Sequence, residues 1–179
     1  MKNSILLNSD EITLAVNRIS LQVLEKNHSP DNLAIVGIHT CGVFLAERIR
    51  QFIEQQTAQA VPYGSLDINL YRDDWSLITQ NPVVKTTDIS FAVEGKDVIL
   101  VDDVLFTGRT IRAALDALMD YGRPRSVQLA ILIDRGGREL PIQADYVGLS
   151  TTVRVDERIQ VMLTENGGQD EVILQNQNG

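Results

Sequence analysis

The sequence contains few of the residues that disulfide-rich, zinc-binding or membrane proteins need. Its 179 residues include one cysteine, Cys41, and two histidines. A single cysteine excludes an internal disulfide and is typical of a reducing compartment, and three such residues are too few for a structural zinc site. No apolar run is long enough to cross a bilayer, and residues 1–8 are too short and too quickly polar for a signal peptide. We expect a cytoplasmic protein without a membrane segment.

Basic residues are also in the minority. The chain has 24 acidic and 16 basic residues, a net charge of −8. A field of that sign repels nucleic acid over the molecule as a whole. A local basic patch can still bind RNA, so the charge disfavours an RNA role and leaves it open.

Apolar periodicity alternates between strand and helix along one domain. We predict a helix capped by Ser9, a strand over Leu33–Ile38, a helix from Val43, and a strand over 61–70 in which Gly64 is a possible bulge. Further strands are predicted at 98–101, 127–133, 146–147 and 159–163, and a helix at 111–121. Residues 165–179 are polar and rich in glycine and amides, which favours a frayed tail. We therefore expect one domain over 1–165 and a polar C-terminal tail over 166–179.

This alternation predicts a mainly parallel sheet with helices on both faces. Ligands of such folds bind at the carboxyl ends of the strands. The turns at 39–42, 72–88, 102–110 and 134–138 all follow predicted strands. We expect them to meet at one edge of the sheet and to form the functional site there.

The stretch 98–110 carries the most chemical information. An apolar strand leads into Asp102 and Asp103, and Thr-Gly-Arg-Thr at 107–110 precedes a helix. Free N–H groups at the start of a helix suit a phosphate, which Gly108 would allow to approach closely. Two carboxylates would repel that phosphate, so hydroxyl groups and a divalent cation are their natural partners. The pattern favours a phosphorylated sugar bound together with a metal.

This segment resembles the ribose-phosphate-binding signature of the type I phosphoribosyltransferases, which use phosphoribosyl pyrophosphate (PRPP). Other segments occur in the order seen in the PyrR family: Ile-Val-Gly-Ile-His-Thr-Cys-Gly at 35–42, Leu-Tyr-Arg-Asp-Asp at 70–74, Tyr-Gly-Arg-Pro at 121–124, Asp-Arg-Gly-Gly-Arg-Glu-Leu-Pro-Ile at 134–142, and Ala-Asp-Tyr-Val-Gly at 144–148. The resemblance implies an α/β phosphoribosyltransferase fold with a flexible lid or hairpin and a small hood. It also implies a homodimer or larger homo-oligomer.

The implied activity is uracil phosphoribosyltransfer, in which uracil and PRPP give UMP and pyrophosphate with Mg²⁺. Asp102 and Asp103 would hold the ribose hydroxyls and the metal, directly or through water, and Arg72 would assist the reaction. The remaining substrate-binding residues implied by the resemblance are His39, Thr40, Cys41, Gly42, Val104, Leu105, Phe106, Thr107, Gly108, Arg109, Thr110, Arg135 and Thr151. Arg109 would contact phosphate by its side chain or by its backbone N–H alone.

The chain departs from many relatives at Cys41, where they have arginine. A thiol brings no permanent charge to the leaving pyrophosphate. Arg72 and Lys85 would replace that charge if the 72–88 segment closes over the substrate. Cys41 as a nucleophile is the alternative, with only His39 nearby as a base; a small residue tolerated in a tight turn is the simpler interpretation.

Many PyrR proteins also regulate pyrimidine genes by binding messenger RNA. Lys26, Arg138 and Arg18 remain basic on the face that would bind RNA, while Leu21 and Gln143 stand where cations would help. Each lost phosphate contact weakens such binding, so we prefer to interpret Arg138 and Lys26 as solvated surface residues. We rank a uracil phosphoribosyltransferase first, a bifunctional enzyme and RNA regulator second, and a non-catalytic nucleotide sensor third.

Overall fold

A computed structural model describes residues 4–73 and 86–176. Its strands are β1 (Ser4–Leu7), β2 (Leu33–Ile38), β3 (Tyr63–Leu66), β4 (Asp97–Leu105), β5 (Ser126–Asp134), β6 (Tyr146–Ser150), β7 (Glu157–Met162) and β8 (Glu171–Asn176). Its helices are α1 (Ser9–Asn27), α2 (Cys41–Thr57) and α3 (Arg109–Met119). Two short 3-10 turns lie at Asn69–Tyr71 and Thr164–Asn166.

Five parallel strands form the central sheet in the order β3-β2-β4-β5-β6. All six residues of β2 are buried, because helices cover both faces of the sheet. Ile35 and Ile99 pack with α1 and α2 on one face, and Val36 and Leu100 pack with α3 on the other. The predicted α/β phosphoribosyltransferase fold is confirmed.

Helix boundaries differ from the prediction at two caps. Asn8, and not Ser9, caps α1: its side chain accepts from Glu11 N at 3.0 Å, and its own N–H donates to Glu11 Oε2 at 2.9 Å. This reciprocal capping box uses the glutamate three residues along, which Ser9 cannot do. Helix α2 begins at Cys41, two residues before the predicted start at Val43.

A separate antiparallel sheet, which we call the hood, has the order β1-β8-β7. The predicted frayed tail is therefore wrong over Glu171–Asn176, which forms the middle strand of the hood. Polar composition concealed a short apolar run there, in which Val172 is fully buried and Ile173 is 8% exposed. Strand β1 was also missed, because four residues carry too little periodicity without their partner strand.

The hood is attached to α2 by Arg48. Its guanidinium donates to Asp170 Oδ2 at 2.6 Å and to Glu165 Oε2 at 2.6 Å. The side chain of Asp170 is only 9% exposed. The Arg48–Asp170 ion pair that holds the hood against the helix is therefore largely shielded from water.

Of two further predictions, the bulge at Gly64 is wrong, and the lid lies mostly outside the described residues. Strand β3 pairs with β2 in unbroken parallel register from Tyr63 to Leu66, so Gly64 forms no bulge. The predicted lid falls mostly on 74–85, including Lys85, and these lie outside the described residues. Within the part of the chain that is described, the helices are too short or too polar to cross a membrane.

Candidate active site

Asp102 and Asp103 lie near the carboxyl end of β4, which runs on to Leu105 and so extends past the predicted end at residue 101. Asp102 is 6% exposed, and Asp103 is half-buried. The N–H of Asp103 donates to Asp102 Oδ1 at 2.9 Å. Burial, and then the neighbouring charge of Asp103, raise the pKa of Asp102 well above its usual value. The pair therefore favours a partner that supplies protons or positive charge.

The 39–42 turn leads from β2 into α2 and lies beside these acids. The His39–Thr40 peptide bond is cis. A Cβ on Gly42 would approach Val101 O to 2.5 Å and Asp102 Oδ1 to 3.3 Å. Only glycine allows the start of α2 to pack so closely on β4. The N–H groups of that helix start and the two carboxylates are thereby brought close together.

A cleft of about 310 Å³ joins this turn to the acids. Its lining includes predicted site residues from three segments of the chain: His39, Thr40, Arg72, Asp102, Asp103, Val104 and Thr110. The carboxyl ends of the parallel strands therefore converge as the topology requires. Asp67 and Asn69 also line the cleft and were not predicted, because the predicted strand over 61–70 included them; β3 ends at Leu66 and leaves both residues in the turn after it.

The surroundings of Cys41 argue against a role as a nucleophile. Its Sγ lies 3.8 Å from Val161 O of β7 and 3.6 Å from Asn166 Nδ2, both in or beside the hood. Burial and the charge of Asp103 raise the thiol pKa to about 12. A thiol with such a pKa remains protonated at neutral pH. The geometry favours the interpretation of Cys41 as a small residue packed in a tight turn.

The 106–110 turn leads from β4 into α3, and Gly108 there has φ +92°. It lines a second cleft of about 360 Å³, together with Arg72, Asp73 and Glu139. The two clefts share Arg72, Val104 and Thr110 and are therefore adjacent. Each cleft has a helix start at its edge, and the two acids line the first cleft.

The side chain of Arg109 is occupied by carboxylates. It donates to Asp73 Oδ2 at 2.5 Å and to Glu139 Oε2 at 2.7 Å. Of the two predicted alternatives for Arg109, this arrangement favours a phosphate contact through the backbone N–H. Asp73 and Glu139 were not named as site residues, although Asp73 lies in the 72–88 turn expected at this edge and Glu139 directly follows the 134–138 turn.

Arg135 and Thr151 lie at the same edge but outside the lining of these two clefts. The Arg135 guanidinium stacks 4.0 Å from the centre of the Phe106 ring. Its Nε is buried, and the described part of the chain offers it no hydrogen-bond partner. Thr151 N donates to Asp134 O at 2.8 Å where β5 and β6 end. Phe106, which is 44% exposed, is thus the link between Arg135 and the 106–110 turn.

The basic residues assigned to an RNA-binding face all have partners within the chain. Lys26 Nζ lies 2.6 Å from Asp145 Oδ1, Arg18 donates to Gly148 O, and Arg138 lies 2.6 Å from Asp134 Oδ2. Their charge is therefore partly neutralised by groups within the chain.

The comparisons with known proteins agree with this geometry. The phosphoribosyl transferase domain family matches residues 2–163. A bifunctional protein PyrR of Deinococcus radiodurans is 50% identical over 169 residues, covering 94% of this chain and 92% of that protein. A bifunctional protein PyrR of Bacillus cereus is 49% identical over 175 residues and 97% of both chains.

Solved structures show the same fold at low identity. A hypoxanthine phosphoribosyl transferase of Trypanosoma cruzi superposes with a TM-score of 0.74 at 16% identity, covering 97% of this chain and 91% of that one. A hypoxanthine phosphoribosyltransferase of Staphylococcus aureus gives 0.64 at 23% identity, covering 84% of this chain and 79% of that one. With full-length relatives close to half identical and the phosphoribosyl transferase domain spanning most of the chain, the protein belongs to the PyrR family of phosphoribosyltransferases.

Proposed function

We propose that this protein transfers the phosphoribosyl group of PRPP to uracil, giving UMP and pyrophosphate. The bond from ribose C1 to the pyrophosphate oxygen breaks, a bond from C1 to uracil N1 forms, and uracil gives up its N1 proton. The observation that carries the proposal is the position of Asp102 and Asp103 in the wall of one of two adjacent clefts, each with a helix start at its edge.

The two helix starts suit the two phosphate-bearing ends of PRPP. The 106–110 turn would bind the 5′-phosphate through N–H groups and the hydroxyls of Thr107 and Thr110. The 39–42 turn would bind the pyrophosphate, with Arg72 contributing charge at the shared wall. Asp102 and Asp103 would accept hydrogen bonds from the ribose 2- and 3-hydroxyls between them. The protein mainly orients substrates and stabilises the departing charge.

The acid pair also fits Mg²⁺. Among the residues that the structure describes, no group of three or more histidine, cysteine, aspartate or glutamate residues could hold a metal alone. Two carboxylates beside a phosphate site match the habit of Mg²⁺, which takes one or two protein carboxylates and completes its shell with substrate oxygens and water. When bound, Mg²⁺ neutralises charge on the leaving pyrophosphate. The raised pKa of Asp102 is consistent with a carboxylate whose charge is balanced by a bound cation.

The base would lie against the edge formed by Asp134, Arg135 and Thr151. Main-chain groups there would read the uracil edge, and Phe106, which Arg135 backs at 4.0 Å, offers an exposed aromatic surface. The relatives named PyrR support a pyrimidine substrate. The purine enzymes among the solved structures share the fold at no more than 23% identity and do not bear on base choice.

The direct test is turnover of uracil with PRPP and Mg²⁺, followed as UMP formation, with hypoxanthine, guanine and orotate as competing bases. We expect uracil to be used in preference to all three. UMP binding without turnover would leave a nucleotide sensor, and preference for a purine or orotate would move the protein to a sister family. In size-exclusion chromatography, the purified protein should elute as a homodimer or larger homo-oligomer. After cell fractionation, it should be found in the cytoplasmic extract.

Regulation of pyrimidine genes through messenger RNA is the second candidate, because the relatives are named bifunctional. The ion pairs of Lys26 and Arg138 weaken it, since their charge already has partners. A gel shift with a pyrimidine-operon leader, with and without UMP at physiological salt, decides the matter. UMP-strengthened binding at nanomolar protein would establish the second activity, and its absence would leave the enzyme alone.

A further inference from the structure

Arg138 has more acceptors than a surface arginine needs. It is 23% exposed and donates to Asp134 Oδ2 at 2.6 Å, Ile142 O at 2.9 Å and Phe106 O at 2.9 Å. Three of its contacts, including a longer one to Gly136 O at 3.4 Å, are to backbone carbonyls. An arginine with this many contacts inside the chain is a structural junction between segments.

The segment it joins to the 106–110 turn is the loop between β5 and β6. The loop satisfies consecutive carbonyls of the turn. Arg135 N donates to Leu105 O at 3.1 Å, Arg138 Nη1 to Phe106 O at 2.9 Å, and Glu139 N to Thr107 O at 3.0 Å. The middle one of these three donors is a side chain, and the outer two are backbone N–H groups.

Because peptide groups are planar, these contacts determine the direction of the backbone N–H groups in the turn. In a trans peptide the carbonyl of one residue and the N–H of the next point in opposite directions. Because the carbonyls of Leu105, Phe106 and Thr107 all point toward the loop, the N–H groups of Phe106, Thr107 and Gly108 point away from it. A run of N–H groups on one side of a turn makes a concave site for an anion.

Packing beneath the turn supports the same conclusion. A Cβ on Gly108 would lie 3.3 Å from Ile142 Cβ and 3.4 Å from Leu140 Cβ, so the loop supports the turn directly at its glycine. A Cβ on Gly137 would approach the Phe106 ring to 2.5 Å. The loop therefore fits closely against the turn on both sides of Arg138.

We propose that Arg138 is a positioning residue for the 5′-phosphate site: it holds the peptide between Phe106 and Thr107 so that Thr107 N–H faces the phosphate. The inference rests on the proposed function, because it takes the 106–110 turn as the place where the phosphate binds. It gives Arg138 a role within the transferase site, whereas the sequence suggested a solvated surface residue or part of an RNA-binding face.

The test compares Arg138→Met with Arg138→Lys. Lysine keeps a charge for Asp134 but lacks the planar fork that reaches several carbonyls at once, so it should recover only part of the function. The matched control is Arg50→Met, since Arg50 is 27% exposed and pairs with Glu47 and Glu54 on α2, outside both clefts.

Kinetic constants, UMP affinity and amide signals together distinguish positioning from general destabilisation. We expect Arg138→Met to raise the KM for PRPP and the Kd for UMP by on the order of tenfold to a hundredfold, with the KM for uracil changed less than about threefold. In the wild type, the Thr107 and Gly108 amide signals should shift when UMP is added, and these shifts should shrink in the variant. The control should leave both constants unchanged, even if it lowers Tm.

The outcomes separate the two proposals. If wild-type protein neither binds UMP nor turns over, the proposed function fails. If wild type binds UMP and Arg138→Met binds it equally well, only the positioning role fails. A loss of Tm without a rise in KM for PRPP would assign Arg138 to stability alone and would also overturn the inference.

Discussion

Two aspartates on β4 have the same burial and opposite surroundings. Asp97 and Asp102 are each 6% exposed. Asp97 accepts from Arg125 Nε at 2.9 Å and from Ser126 Oγ at 2.7 Å, and the Arg125 contact holds its pKa below the usual range. Asp102 has the like charge of Asp103 beside it and is paired with no cation in the described part of the chain. Burial, followed by the charge of Asp103, raises its pKa.

The difference separates a structural carboxylate from a functional one. At the amino end of the strand the protein supplies its own cation and hydroxyl, so that charge is satisfied within the fold. At the carboxyl end the fold brings acids together and leaves their charge to be met by a ligand. Perturbed carboxylates of this second kind are typical of functional sites.

The largest effect should follow from neutralising the acids at the carboxyl end. In Asp102→Asn combined with Asp103→Asn, turnover should fall by at least about a thousandfold, because the hydroxyl acceptors and the metal-binding charge are both lost. Tm should stay level or rise, since a like-charged pair is removed. Steady-state kinetics and calorimetry measure the two. Unchanged turnover, or a drop in Tm, would contradict the assignment of these acids.

Cys41 reports on the same negative environment. With a thiol pKa of about 12, iodoacetamide at pH 8 should react on the order of thirty- to a hundredfold more slowly than with an ordinary thiol, because few thiolates form and their greater nucleophilicity offsets only part of the loss. Alkylation can be followed by mass spectrometry on this single cysteine. The urea-unfolded chain is the control and should react at the ordinary rate; equal rates in both states would refute the burial.

Two glycines, one packed near the carboxyl end of β4 and one just before its amino end, should show the same contrast with smaller effects. Gly42→Ala would bring a Cβ within 2.5 Å of Val101 O, so we expect about 1–3 kcal/mol of destabilisation and a loss of activity as the 39–42 turn moves. Gly95, just before β4, has φ +71° and open space around its Cβ position. Gly95→Ala should therefore cost stability alone, about 1 kcal/mol from its left-handed backbone. Equal activity in both variants would remove the argument for close packing.

Asp97→Asn should have the smallest effect on activity and a modest effect on stability. Turnover should remain within about twofold of wild type, while Tm falls by a few degrees as the Arg125 contact weakens. Because the folded pKa of Asp97 is lowered from 3.8, its contribution is present above pH 3.8 and is lost as pH falls through the folded value. The difference in Tm between wild type and variant should therefore narrow below about pH 4. A constant difference down to pH 2 would argue against the ion pair.

The central sheet and the two turns were predictable because their signals are local. Each apolar strand is followed by a polar turn and a periodic helix, and the parallel topology then places the turns at one edge. The resemblance implied a small hood, and the strand at 159–163 was predicted, but β1 and β8 were not predictable, since they become strands only by pairing with each other across most of the chain. The same holds for Arg48 and Arg138, whose partners include residues about 120 and 32 positions away. Long-range contacts of this kind leave no periodicity in the sequence.

The order of strands in the hood has a consequence for biosynthesis. Because β8 lies between β1 and β7, a nascent chain on the ribosome can hold β1 and β7 but cannot join them until residues 171–176 have been translated. Until then the hood, whose strand β7 contacts Cys41, lacks its middle strand, and β1 remains unpaired as an exposed edge that other chains can reach. The growing polypeptide can therefore complete its central sheet once β6 has been translated, but the hood is complete only after residue 176 has been added.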